Sequence, residues 1–286
     1  MLHDLNWLKE NWAKAMELSE YFSLDRHSPE EKRETWNRIA QNYDTALGSD
    51  VQRAKEAVDL LQAKGAVNDE TVAMDIGCGT GVYALELAKH CKHVYALDYS
   101  EGMLEKLGAK IAEKGLKNIT PIQADWKTFD YKTLGEKITL SISCLNTGMR
   151  DFDSLVKINE VTKGWCCYIT SSGLAKAANR NELQELVFGR TLNNVGGGDI
   201  IYPFTIIYAL GFKPELSYIP CKWSRVKSAQ AALDDMIADF NRYLDINDAM
   251  RDKLAEYVQG RLNEEGNFAE SVNAMMGVMI WKTVGN

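Results

Sequence analysis

The alternation of apolar and polar positions divides the chain into stretches with different periods. Near the start, Leu5, Leu8, Trp12 and Met16 recur three to four residues apart, which lines them along one helical face. Ser28-Pro29-Glu30-Glu31 predicts a second helix. Ser28 is placed to cap it, Pro29 suits the first helical position, and Glu31 can return the bond as a capping box. Its expected apolar stripe is Trp36, Ile39, Tyr43 and Leu47. A third helix is expected from about Asp50 to Lys64, with Gly65 as its stop. From Val72 the pattern changes to short apolar strands at 72–76, 94–97, 119–123, 138–144 and 165–170. Helical segments at 82–91, 100–115 and 155–161 separate them, the middle one capped by Ser100 with Met103, Leu104, Leu107 and Ile111 inward. Strands and helices in this rhythm predict a mainly parallel sheet covered on both faces.

Beyond Ser172 the rhythm loosens. A helix at 181–189 leads into a glycine-rich loop at 193–198, followed by a short helix at 203–210 and strand-like stretches at 215–219 and 222–226. Two amphipathic helices come next, one presenting Met236, Ile237 and Phe240, the other Leu254, Tyr257 and Val258; a final strand is expected at 277–283. The resulting division is an N-terminal helical cap (1–65), an α/β core (66–227), a helical lid insertion (228–270) and a last strand of the core sheet (271–286).

Composition alters this picture little. The 286 residues, 45% hydrophobic and 26% charged, suit a folded chain with its own core. The apolar run from Ile200 to Leu210 is too short and interrupted to cross a bilayer, and the opening residues lack the basic-then-apolar pattern of a secretory signal. The six cysteines show no CxxC spacing, so no zinc site, no disulfide framework and a cytoplasmic setting are expected. His90 and His93 have no ligand cluster in the sequence, and no metal is expected. The net charge is −7 and no basic stripe is interleaved with aromatics, which disfavours nucleic acid as partner. No membrane partner is expected, and a homodimer is compatible with the sequence.

The candidate chemistry lies in Val72-Ala73-Met74-Asp75-Ile76-Gly77-Cys78-Gly79-Thr80-Gly81. A strand delivers an acid to its carboxyl end, and a glycine turn leads directly into a helix, the edge where open α/β sheets bind ligands. A dinucleotide fingerprint beginning at Gly77 requires glycine at the position of Val82, which speaks against an NAD-dependent oxidoreductase. Asp75 with Gly77, Gly79 and Gly81 resembles instead the DxGxGxG signature of class I S-adenosylmethionine-dependent methyltransferases. Asp98-Tyr99-Ser100-Glu101-Gly102-Met103-Leu104 is similar to that family's continuation at the second strand, and Asp125-Trp126 stands where it places an acid beside the adenine.

The resemblance runs from Val72 to Ser172 and implies a doubly wound, seven-stranded, mostly parallel sheet with the last strand antiparallel, beneath a helical cap. It implies S-adenosylmethionine as cofactor and S-adenosylhomocysteine as product. The implied cofactor residues are Asp75, Gly77, Cys78, Gly79, Gly81, Asp98, Tyr99, Met103, Asp125, Trp126 and Cys144. Tyr43, in Asn42-Tyr43-Asp44, either folds over the cofactor as in many members or only extends the stripe begun by Trp36.

The methyl acceptor is less legible. Asn146-Thr147-Gly148-Met149 lacks the prolines and aromatic of the motif that holds planar amino groups, so such substrates are disfavoured. No catalytic residue is assigned. Asp151, Asp153 and Tyr43 are alternatives for a general base, with a solvated loop as the plain reading of the first two. Trp36, Asn146, Arg150 and Tyr202 are candidate acceptor contacts, Arg150 for an acidic group; Tyr43, Phe204 and Trp223 are further candidate walls. The expected activity is methyl transfer to a small molecule. RNA or protein as acceptor, or a binding module without turnover, are the alternatives.

Overall fold

The protein was analysed as a computed structural model, which describes residues 4–41, 43–46, 48–177, 179–193 and 196–283. Four helices come first: α1 (Leu5–Leu18), α2 (Glu20–Ser23), α3 (Pro29–Ala40) and, after a 3-10 turn at Tyr43–Ala46, α4 (Gly48–Ala63). The alternating part follows with β1 (Val72–Ile76), α5 (Val82–Leu87), β2 (His93–Asp98), α6 (Glu101–Lys114), β3 (Ile119–Gln123), β4 (Leu140–Cys144), α7 (Phe152–Val161) and β5 (Trp165–Ala177). The chain ends with α8 (Arg180–Phe188), α9 (Ile201–Ala209), β6 (Glu215–Ser228), α10 (Ala229–Phe240), α11 (Asp248–Gln259) and β7 (Asn267–Lys282).

The strands form one seven-stranded sheet in the order β3-β2-β1-β4-β5-β7-β6. The first five in that order are parallel, and β7 runs antiparallel between β5 and β6. Every residue of β1 is buried, as a central strand covered on both faces must be. One face packs α4, α5 and α6 through Ala54, Val58, Leu61, Leu87 and Leu107. The other packs α1, α7 and α9 through Trp12, Leu155, Ile158 and Ile207. A third cluster joins α8, α10 and α11 to Phe268 at the start of β7. Among the described residues no helix is long and apolar enough to cross a membrane.

Local signals act as the sequence implies. Ser28 accepts the Glu31 N–H while the Glu31 carboxylate accepts the Ser28 N–H, and Ser100 accepts the Met103 N–H at the start of α6. Three segments differ. α3 ends at Ala40, its one buried residue, and Ile39 is 39% exposed, so the expected stripe is not a core face; Leu47 lies outside the described residues. The contact of α3 with α6 is made by backbone instead: a Cβ on Gly102 would stand 2.9 Å from the Asn37 carbonyl oxygen. The two strand-like stretches around Pro220 are one strand, because β6 is the sheet edge and an edge tolerates proline. β7 begins ten residues before Gly277, at Asn267, where it pairs with Ser228 as the far end of a long β6–β7 hairpin. That end is only partly buried and carries polar residues, which removes the apolar signal.

Candidate active site

β1 lies between β2 and β4, so the chain leaves its carboxyl edge in opposite directions and opens a crevice there. The turn after Asp75 is built on left-handed glycines, with φ of 75° at Gly77, 54° at Gly79 and 88° at Gly81. Their missing side chains serve different ends. A Cβ on Gly77 would stand 2.6 Å from the Asn146 carboxamide, and one on Gly81 would collide with the Leu107 side chain. A Cβ on Gly79 would meet nothing within 4 Å. Gly77 and Gly81 are required by the protein's own packing, whereas Gly79 faces open space.

Asp98, buried at the end of β2, is tied to this turn. Its Oδ2 accepts the Gly79 N–H at 2.8 Å and its Oδ1 accepts the Ser100 N–H at 2.9 Å. Burial pushes the Asp98 carboxyl above its ordinary range, and the N–H groups of Ser100, Gly79 and Tyr99 partly offset that. Asp75 is more secluded. Burial, with Asp98 repelling it, pushes its carboxyl up to about 7 against the opposing Ala84 N–H. Its Oδ2 is buried without a hydrogen-bond partner among the described residues. An orphaned acceptor two residues before a glycine turn fits a ligand bearing a cation or N–H donors. The Tyr99 phenol is pushed up to about 12 by burial, with Asp98 and Asp125 adding to the effect.

The segment from Trp36 to Asp44 crosses the turn. Asp44 Oδ1 accepts the Thr80 hydroxyl at 2.7 Å and the Lys110 ammonium at 2.8 Å, and Lys110 also donates to the Thr80 carbonyl at 2.9 Å. Asn37 Oδ1 accepts the Ser100 hydroxyl at 2.7 Å and the Gly102 N–H at 3.1 Å. Trp36 and Tyr43 meet edge to face with ring centroids 6.3 Å apart, and Tyr43 adjoins the Asp44 that bonds Thr80 of the turn; Asn42 lies outside the described residues. Sequence reasoning singled out Tyr43 and Trp36 and missed Asn37 and Asp44, although Asp44 stands in the quoted Tyr-Asp pair.

β4 ends beside β1. Leu145, at φ 50°, is the one described non-glycine residue in the left-handed region, a conformation costing about 1–2 kcal/mol. The bend aims Asn146 back at the glycine turn, where Nδ2 donates to the Ile76 carbonyl at 3.1 Å and Oδ1 accepts the Gly148 N–H at 2.8 Å. Asn146 is thereby committed to bracing the turn. Cys144 is hydrogen-bonded with the Tyr83 hydroxyl, which also receives the Arg53 Nε–H at 3.1 Å; neither Tyr83 nor Arg53 was singled out from sequence. Cys78 is buried and its thiol is pushed far up by burial, which leaves it no nucleophilic character.

Other expected residues are placed differently. Met103 is buried, and Asp125 is exposed with Oδ1 accepting the Lys127 N–H. The Trp126 indole is turned into the core rather than the crevice, donating to the Ser154 carbonyl at 2.9 Å beneath Lys157. Tyr202 stacks on Trp12 with centroids 6.4 Å apart, and Phe204 packs in the same cluster under α1. Trp223 stands on β6 against Arg53, so the expected aromatic wall is dispersed over both faces of the sheet. Asp151 caps α7 and pairs with Lys127 at 2.8 Å; burial would raise its carboxyl, but Lys127 and Ser154 hold it below the ordinary range. Asp153, largely exposed, pairs with Lys9 at 2.8 Å. Neither acid is poised as a base. Among the described residues, no group of three or more His, Cys, Asp or Glu is placed to hold a metal ion.

Residues 73–162, from β1 through α7, match the family model of a methyltransferase domain. The part of the chain that matches this methyltransferase domain is 90 residues, under a third of the whole. An uncharacterised protein of Haemophilus influenzae is 32% identical over 164 residues, 56% of this chain and 57% of that one. The demethylmenaquinone methyltransferase of Lactococcus lactis is 27% identical over 145 residues, 49% of this chain and 56% of that one. The chain thus spans little more than half the length of these relatives. The solved structure of a candidate methyltransferase from Bacillus halodurans shares the fold with a TM-score of 0.51, at 16% identity, over 83% of this chain and 100% of that one. The methyltransferase domain contains all three glycines, Asp75, Asp98 and Asn146, so the region matched is the region that builds the crevice.

Proposed function

We propose that this chain binds S-adenosylmethionine over β1 and β2 and transfers its methyl group to a small-molecule acceptor. The observation that carries this reading is the open cradle at Gly79, whose N–H is gripped by the buried Asp98. Asp98 stands where a carboxylate can accept two ribose hydroxyls. The orphaned oxygen of Asp75 suits the donor-rich methionyl end, and Asp125 the adenine amino group. Tyr43, next to the Asp44 that bonds Thr80 of the turn, and Trp36, packed on it, suit a cover for the bound nucleoside.

S-adenosylmethionine, when bound, supplies an electrophilic methyl group on a sulfonium sulfur. The chain's part is to hold an acceptor in line within about 3–3.5 Å and to keep water away, and no dedicated base is required for that. Water exclusion falls to the N-terminal segment and the α10–α11 insertion, which meet each other. Arg26 N–H donates to the Arg242 carbonyl at 2.9 Å, and Arg242 pairs with Asp25 at 3.0 Å. A net charge of −7 favours a small metabolite over a nucleic acid.

The test is incubation of the purified chain and S-adenosylmethionine with a metabolite extract freed of RNA and protein. Release of S-adenosylhomocysteine is expected. Release that requires RNA or protein would contradict the small-molecule acceptor, and no release with metabolites, RNA or protein would leave a binding module without turnover.

A further inference from the structure

We infer that Arg150 and Arg180 seat an anionic group of the methyl acceptor against the rings of Tyr21 and Phe22, an assignment that rests on the methyl-transfer reading above.

Arg150 lies six residues past the end of β4, beyond the Asn146 that braces the glycine turn, and Arg180 lies three residues past β5, which runs on eight residues beyond the Cys144–Ile169 pair that ends β4. α2 brings two aromatic rings to them. The Arg150 guanidinium lies 4.8 Å from the Phe22 ring centroid, the Arg180 guanidinium lies 5.4 Å from that of Tyr21, and the two rings are 5.5 Å apart. Tyr21 in turn meets Tyr243 of the insertion at 6.2 Å. Arg150, Arg180, the two rings of α2 and Tyr243 therefore form one chain of contacts.

Charge makes the cluster unusual. Other cations withdrawn from solvent have partners: Arg242 pairs with Asp25 at 3.0 Å, Lys110 with Asp44 at 2.8 Å, and the buried Arg53 donates to the Tyr83 hydroxyl at 3.1 Å. Glu20, the acid next to Tyr21, is drawn down to about 2 by its hydrogen bonds from Arg190 and the Asn193 N–H, so it is fully engaged. Among the described residues Arg38, Arg225 and Arg251 have no carboxylate partner, but they stand in solvent. Arg150 and Arg180 are half-buried, and among the described residues no carboxylate pairs with either. Burial lowers the Arg150 guanidinium pKa, and Arg242 repels it further. Two half-buried cations on adjoining rings, with no carboxylate on either among the described residues, cost stability unless something anionic meets them. A guanidinium stacked on an aromatic ring keeps its N–H edges free, the geometry that receives a carboxylate or phosphate bidentately.

The test uses the full chain saturated with S-adenosylhomocysteine, titrated calorimetrically with benzoate, phenyl phosphate and the neutral benzamide. At least one anion should bind at least about tenfold tighter than benzamide, the preferred one telling carboxylate from phosphate. Arg150→Met and Arg180→Met should each weaken that anion by about tenfold or more, and Arg150→Lys by less than Arg150→Met. Thermal stability of Arg150→Met should be unchanged or higher, because an unmatched charge is removed; a purely structural arginine would give a lower midpoint. Anions that bind no better than benzamide, or that ignore both methionine substitutions, would overturn the acceptor site while leaving the cofactor site standing. Failure of S-adenosylhomocysteine itself to bind would overturn the methyl-transfer reading and this assignment with it.

Discussion

Gly77, Gly79 and Gly81 share a left-handed backbone, yet alanine should act differently at each. At Gly77 and Gly81 the new Cβ strikes Asn146 or Leu107, and a loss of about 1–3 kcal/mol in unfolding free energy is expected. At Gly79 the cost is backbone strain of about 1–2 kcal/mol, while the open space is filled and S-adenosylhomocysteine binding is lost. Denaturant unfolding beside calorimetry separates these cases, and a Gly79→Ala chain that binds normally would show that the cradle holds no ligand. Asp75 offers a titration. With its carboxyl pushed up to about 7, the folded chain keeps a proton that the unfolded chain releases near pH 4. That contribution to stability is full below about pH 4 and is lost as pH rises through 7. Asp75→Asn cannot lose it, so the wild type should weaken relative to the variant between pH 5 and 8. Parallel stability curves would contradict that assignment. The glycine spacing and the acids at 75, 98 and 125 were legible in the sequence because the motif is local. The strained Leu145 and the fit of Asn146 against Gly77 were not, since both depend on strands that meet only on folding.

Helix caps were equally local and therefore legible: Ser28 and Ser100 bond as the sequence implies. The stripe Trp36–Ile39–Tyr43 misled, because α3 seats on α6 through Asn37 and Gly102 rather than through an apolar face. The element that emerges is a strap, fastened where Asp44 receives Thr80 and Lys110. The Asp44 side chain is 38% exposed, so solvent screens part of the charged bond. Asp44→Asn should weaken S-adenosylhomocysteine binding about three- to tenfold while moving the unfolding free energy by under about 1 kcal/mol. Unchanged affinity would mean that the strap does not bear on the cofactor.

At the scale of the molecule, the strand–helix rhythm announced the parallel part of the sheet, and the antiparallel last strand came from family resemblance alone. What no local pattern announced is the union of the two ends of the chain. Arg26 donates to the Asn241 carbonyl across 215 residues, and Tyr21 meets Tyr243. That union brings α2 against the chain between α10 and α11, helices that themselves pack on β6, β7 and α8. The nucleoside site at Gly79 and Asp98 is probed by calorimetry of the wild type and Asp98→Ala with S-adenosylmethionine, S-adenosylhomocysteine and NAD. The wild type should bind the first two and not NAD, and Asp98→Ala should bind both at least about tenfold more weakly, the loss of one charge-assisted bond. Equal affinity in the two proteins, or preference for NAD, would contradict it.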